Sequence, residues 1–338
     1  FKGVPADYAV TFATAGSRGL KIADSPEAKA FKARLEKIVA GLAKSGHGKA
    51  MQVAVKNATG LDLESPDTCF AGGLSLSKEG SFTGGLIIRA RHDSAKLAAH
   101  AAAKNVPSLS AGAAKGWKAQ ELIASLGDEL GQAVSNFPAP GQDAAENKED
   151  IGVFDIDKDT LVVAQPKEAA RIIGLLKGQG SSYALPAAQR SAVAATGQAY
   201  AVVSVNAAKL PASAELAQSG FVSGLFAMGE KGSDQVMKIS TTFTSKEKAA
   251  PLAMQAQGML AMAPMMLAGD PSKPETAEEK EMKALAGEFL AGIQPVEASG
   301  NQVTLTAKWD TLKLYGIMEK IVAIGATKMK DMPAPAKK

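Results

Sequence analysis

The chain has 338 residues, 46% of them apolar, and a formal charge of +4, which is long enough for two cored domains and ordinary for a globular protein. Lysines are scattered among acidic residues and aromatics make up only 5% of the chain, which argues against the basic stripe and stacking platform of a nucleic-acid binder. Cys69 is the only cysteine, so an intramolecular disulfide is excluded.

The sequence opens at Phe1 with no start Met, and Lys2, Asp7 and Arg18 interrupt any apolar run there. The expectation is an exported chain, periplasmic or extracellular, with its signal peptide removed and no transmembrane span. A strand is predicted over Tyr8 to Thr14. Ser25 and Pro26 suit a helix start, and Phe31, Leu35, Ile38 and Leu42 share one face of the helix that follows. Phe70 to Ser77 and Phe82 to Arg91 read as strands joined by a turn at Lys78-Glu79-Gly80-Ser81. Asp93 or Ser94 can cap a helix from Ala95 to Lys104. Leu122, Leu126, Leu130 and Val134 form an i+4 ridge that predicts a helix from Trp117 to Val134. Ile151 to Ile156 turns at Asp157-Lys158-Asp159 into Leu161 to Ala164, and a helix is expected from Pro166 to Lys177.

The second half repeats this order. Tyr8 to Ala15 returns as Tyr200 to Ala207, a shift of about 190 residues, and Phe70-Ala71-Gly72-Gly73-Leu74 returns as Phe221-Val222-Ser223-Gly224-Leu225. A strand from Ala199 to Val205 and a short helix near Ala212 to Gln218 are expected first. Strands follow at Phe221 to Met228 and at Gln235 to Phe243, where Met237, Ile239, Thr241 and Phe243 alternate with Val236, Lys238, Ser240 and Thr242. Thr244 or Ser245 can cap a helix from Lys246 to Leu267, and Pro264 is expected to bend or end it. Met282, Leu285, Phe289 and Ile293 mark another helix. Pro295 to Ala298 turns at Ser299-Gly300-Asn301 into Val303 to Ala307, and Asp310 caps a last helix through Lys328. Short strands in consecutive hairpins imply antiparallel sheets, and intervening helices must cover their apolar faces. The fold class is therefore α+β, a tandem duplication of an antiparallel sheet domain with helices mainly on one face. The domains are 1–178 and 198–328, with an Ala-rich linker at 179–197 and a disordered tail at 329–338.

Asp157 to Ala164 before a helix at Pro166, together with the Pro5-Ala6-Asp7 start, resembles a group of exported two-domain α+β proteins of planctomycete- and verrucomicrobium-type bacteria. The resemblance implies fold and export and brings no catalytic residue, cofactor or ligand.

Motifs that carry chemistry are sparse. Gly48-Lys49 lacks the Ser or Thr of a phosphate loop, because Ala50 stands there, and it follows a helix rather than a strand; a helix C-cap loop at Gly46 and Gly48 accounts for it. His47, His92 and His100 have no zinc spacing. Asp155, Asp157 and Asp159 resemble a calcium loop, but Thr160 and Pro166 stand where Gly and Glu are required, so a solvated hairpin turn is expected. Cys69 has no neighbouring His or basic cluster, which favours a small apolar role over a nucleophile. No catalytic, cofactor-binding or metal-binding residue is assigned, and no cofactor is expected.

Met254, Met259, Met262, Met265 and Met266 crowd one helical segment. Pliable core, contact with a protein partner or apolar ligand, and a soft Cu(I) site all suit such a run, and solvent exposure decides among them. The expected function is a non-enzymatic binding or scaffold protein of the bacterial cell envelope, with these five methionines as its contact site. The alternatives are an enzyme with a dispersed site in the interdomain cleft, or a carrier of an apolar ligand.

Overall fold

The computed structural model describes residues 1–15, 30, 33, 53, 55–61, 65, 67–77, 81–126, 150–268 and 275–331. The predicted ridge Phe31–Leu42, the turn residues 78–80, the Gly46/Gly48 loop and His47, the end of the ridge at Leu130 and Val134, and residues 332–338 lie outside that set. The elements in chain order are β1 (Val10–Ala15), β2 (Cys69–Leu76), β3 (Phe82–Arg89), α1 (Ser94–Ala103), β4 (Ser108–Ala111), β5 (Ala114–Lys118), α2 (Ala119–Ala124), β6 (Gly152–Asp157), β7 (Thr160–Ala164) and α3 (Pro166–Leu176), then α4 (Ala187–Ala195), β8 (Gln198–Asn206), α5 (Ala214–Ser219), β9 (Phe221–Lys231), β10 (Asp234–Phe243), α6 (Lys246–Ala268), α7 (Ala277–Leu290), β11 (Glu297–Ser299), β12 (Gln302–Asp310) and α8 (Thr311–Asp331).

All twelve strands join one antiparallel sheet, ordered β11-β12-β10-β9-β8-β1-β2-β3-β7-β6-β5-β4. Outward from its centre, one half reads β1-β2-β3-β7-β6 and the other β8-β9-β10-β12-β11, the same order twice. β1 and β8 pair antiparallel from Val10↔Val205 to Thr14↔Ala201, so a local two-fold normal to the sheet relates the halves. The hairpin β4-β5 extends only the first half.

The duplication holds at the level of topology, while the residue matches that suggested it need correcting. Val10 pairs with both Leu74 and Val205, and Val205 pairs with Gly224, so these four share one face. Val202 and Leu225, the sequence matches of Val10 and Leu74, point to the other face. A one-residue slip exchanges the faces of a strand, so the true equivalence lies one position away from both matches.

Call face A the side of Thr11 and Leu225, and face B the side of Phe12 and Phe226. On face A, α3 packs Ala169, Ile172 and Ile173 against Ile87, Phe154 and Val162. α4 covers Val202, Leu225 and Ala227. On face B, α1 and α2 cover Leu161 and Trp117, and α6 covers Phe243 and Val303. α8 covers Ala307 and Trp309, and α7 packs on α8 through Leu285, Ile317 and Ile324. Helices therefore lie mainly on face B.

Several local expectations are changed by tertiary context. Trp117 lies in β5 and a helix begins only at Ala119, because Gly112 at φ +62° closes a two-residue turn between the paired Ala111 and Ala114. The Ala-rich stretch at 179–197 contains α4, since alanine is the strongest helix former and Gln189 ties the helix to the sheet. Gln189 accepts from Ser204 Oγ at 2.7 Å and donates to the Gly224 carbonyl at 3.3 Å. α6 continues through Pro264 to Ala268; Lys283 Nζ donates to the Ala268 carbonyl at 3.0 Å, and Leu260 and Leu267 stay half-buried along that stretch. α8 runs through Asp331, so residues 329–331 are helical rather than tail. Asp93, Ser245 and Asp310 accept from Lys96, Lys248 and Lys313 as predicted helix caps.

Candidate binding surface

α6 is the element whose composition and position disagree. No Lys, Arg, Asp or Glu occurs between Lys248 and Asp270, and the helix is about 34 Å long at 1.5 Å per residue. Its inner side holds Ala249 and Ala253, which are buried, and Ala256, Leu260, Ala263 and Leu267, which are half-buried. Its outer side carries the five methionines. At 100° per residue they fall within an arc of about 140°, opposite the inner side. Their exposure is 74% for Met254, 62% for Met259, 53% for Met262 and 76% for both Met265 and Met266. Gln255 lies among them, yet so apolar a helix face is normally buried, and core packing does not account for this one. Leu252 at the same arc's edge is 36% exposed.

A cleft of about 500 Å³ adjoins this surface. It is lined by Leu260, Pro264 and Leu267 of α6, by Leu290 at the end of α7 and by Ile293 and Val296 after it, and by no charged residue. Chain neighbours of its lining residues make one close approach to β12. Phe289 stacks on Trp309 with ring centroids 4.7 Å apart, and Trp309 Nε1 donates to the Phe289 carbonyl at 2.8 Å. A Cβ at Gly292 would lie 2.2 Å from Trp309 Nε1, so only glycine fits there. Gly287, also lining the cleft, has open space where a side chain would go. Sequence reasoning found the methionines and missed the cleft, because its walls are apolar ridges of separate elements that look like ordinary core until α6 and α7 meet.

The remaining candidates make local contacts. His92 Nε2 is 2.9 Å from Asp155 Oδ1 and its Nδ1 is 3.2 Å from the Ala90 carbonyl, with the imidazole fully buried. Asp157 accepts from the Asp159 amide at 2.9 Å, the turn expected of the Asp-x-Asp-x-Asp run. His100 Nε2 lies 2.9 Å from Ser125 Oγ, which donates to the Leu122 carbonyl; burial and then Lys104 hold its pKa below the ordinary 6.5. Cys69 is half-buried and its thiol lies 3.6 Å from the Asp67 carbonyl. Among the described residues no group of three or more His, Cys, Asp or Glu is placed to hold a metal.

Two tyrosines open the halves and fasten each to its closing helix. Tyr8, 1% exposed, donates to Glu168 Oε1 on α3 at 2.7 Å, and Arg171 bridges Glu168 to Asp7. Tyr200 donates to Gln235 at 2.7 Å, and Gln235 donates to Thr311 at the start of α8 at 3.3 Å. Burial first, then Tyr315 and Glu230, push the Tyr200 pKa up to about 12. Where the halves meet, the seam is a hydrogen-bonded strand pair. A hollow of about 370 Å³ at its end is lined by Lys2, Cys69, Arg89 and Tyr200 and by no carboxylate or imidazole.

These features define an α+β protein with a duplicated antiparallel sheet and a helix whose methionine-bearing outer side is exposed beside an apolar cleft. No protein-family model matches the chain, and no curated protein matches it. Among solved structures it is similar to TP0453 in crystal form I, with 7% identity and a TM-score of 0.39 over 95% of this chain and 96% of that one. For crystal form IV of TP0453 the identity is 7% and the TM-score 0.43, over 94% and 95%. Likeness at that level carries no argument about function.

Proposed function

We propose that the protein is a non-enzymatic binding or scaffold protein of the bacterial cell envelope. It engages an apolar face of a partner protein through the outer arc of α6. The observation that carries this reading is the exposure of all five methionines on the charge-free stretch of one helix, from Ala249 to Ala268. Methionine is flexible and polarizable, and it suits surfaces that must fit an apolar partner closely. Burying such an arc against an apolar helix is a recurrent mode of recognition. No described helix is long and apolar enough to cross a membrane, so the arc has no role as a span. Export is part of the proposal and rests on the resemblance to exported two-domain α+β proteins.

The test is photo-crosslinking in cells with p-benzoylphenylalanine at position 262 or 266, and at position 238 on face A as control. A discrete adduct from 262 and 266 that is absent from 238 supports the arc as a contact surface. Equal adducts from all three, or none from the arc, count against it. Recovery of the protein from cytosol would refute placement in the envelope.

The cleft between α6 and α7 favours a second reading, a carrier of an apolar ligand. Gly287→Leu projects a side chain into the cleft. It should block a ligand held there and leave contact at the methionine arc unaffected.

A further inference from the structure

We infer that the outer arc of α6 is an oxidation-responsive surface. Hydrogen peroxide converts its methionines to sulfoxides and so switches off the apolar contact proposed above, a reading on which this inference rests. Two observations carry it. The first is access: the five thioethers are 53–76% exposed, whereas Met228, Met237 and Met282 are half-buried and Met318 is 47% exposed. Sulfur attacks the peroxide oxygen directly, so reactivity follows exposure. The second is segregation. The inner side of α6 consists of Ala249, Ala253, Ala256, Leu260, Ala263 and Leu267, with no thioether among them. Oxidation therefore alters the contact face and leaves the anchoring face apolar.

The chemistry is a two-electron oxygen transfer. A thioether and hydrogen peroxide give a sulfoxide and water: the O–O bond breaks, an S–O bond forms, sulfur loses two electrons and the peroxide is reduced. Each sulfoxide is a polar acceptor that must be desolvated before an apolar partner can cover it. Because the segment from 249 to 269 carries no charge, adhesion along it rests mainly on apolar contact, which oxidation removes, with Gln255 as a polar side chain inside the arc. The change is reversible by methionine sulfoxide reductases, one for each epimer.

The experiment uses the full chain with Nile red, an uncharged apolar dye, as probe. All five methionines fall on one tryptic peptide, Ala249 to Lys280, because Lys273 precedes Pro274. Mass spectrometry of that peptide after graded peroxide therefore counts the sulfoxides. The arc should oxidise before Met228, Met237 and Met282, circular dichroism should be unchanged, and Nile red affinity should fall about tenfold or more. The two reductases together should restore it. A variant with leucine at all five positions keeps the apolar surface and the helix propensity, and should bind Nile red equally before and after peroxide. Sulfoxides on the arc with unchanged affinity would overturn the switch and leave the contact reading standing. Loss of affinity in the five-leucine variant, or unfolding on oxidation, would also overturn it. Failure of the unoxidised protein to bind Nile red would overturn both.

Discussion

Replacing Met262 and Met266 by glutamine separates a contact role from a structural one. Their exposures of 53% and 76% mean that most of each side chain gains nothing from the fold. Covering that remaining surface would contribute about 2–4 kcal/mol in total, scaled from 1.5–3 kcal/mol for a fully buried methionine. Glutamine keeps two methylenes of each stem, so the loss on substitution is about 1–2 kcal/mol, a fivefold to thirtyfold increase in Kd. Stability should barely change, because glutamine and methionine have similar helix propensity and exposed substitutions stay within about 0.5 kcal/mol each. The assay is fluorescence titration with Nile red alongside thermal unfolding, with Met262→Leu and Met266→Leu as the conservative control. Unchanged dye affinity in the glutamine variant would refute the contact reading. A fall in Tm beyond about 5 °C would refute the premise that these side chains lie outside the core.

Tyr8→Phe keeps the buried ring but leaves Glu168 without its 2.7 Å donor, and should cost about 1.5–3 kcal/mol, seen as a lower urea midpoint with an unchanged slope. Alkaline pH should destabilise the fold. Burial, then the hydrogen bond and charge of Glu168, keep Tyr8 protonated well above its ordinary pKa of 10.0, and Tyr200 is raised as well. The unfolded chain loses these protons first, so stability is complete below pH 10 and falls as pH rises through it; Tyr8→Phe should flatten that fall in urea midpoints. At the acid end, His100 has a folded pKa below 6.5, so the unfolded chain binds the proton more readily and stability declines as pH drops past 6.5; His100→Gln should remove that slope. Two glycines five residues apart should respond oppositely to alanine. Gly287→Ala meets open space inside α7 and should stabilise by about 0.5–1 kcal/mol, whereas Gly292→Ala would collide with Trp309 and should destabilise by about 1–3 kcal/mol, both read by urea denaturation.

The sequence by itself determined the elements whose signals are local. The strand through Met237 to Phe243, the caps at Asp93 and Asp310, and Pro166 at a helix start depend on neighbours within a few residues and are in place, although burial along that strand does not follow its alternation, since Ile239 is exposed and Ser240 buried. The repeated order of strands and helices was legible for the same reason. Tertiary structure alone decided how the pieces combine. That β1 and β8 pair to join both halves in one sheet depends on hydrogen bonds between residues nearly two hundred positions apart, which no local pattern encodes. α4 in the 179–197 segment agrees with its alanine content and is tied to the sheet through Ser204, and α6 continues through Pro264 to Ala268, whose carbonyl accepts from Lys283. The binding surface divides along the same line. The five methionines were visible as a cluster, but an apolar residue reads alike whether it faces core or solvent. Only the side on which α6 meets the sheet and α7 turned those methionines outward and opened the apolar cleft beside them.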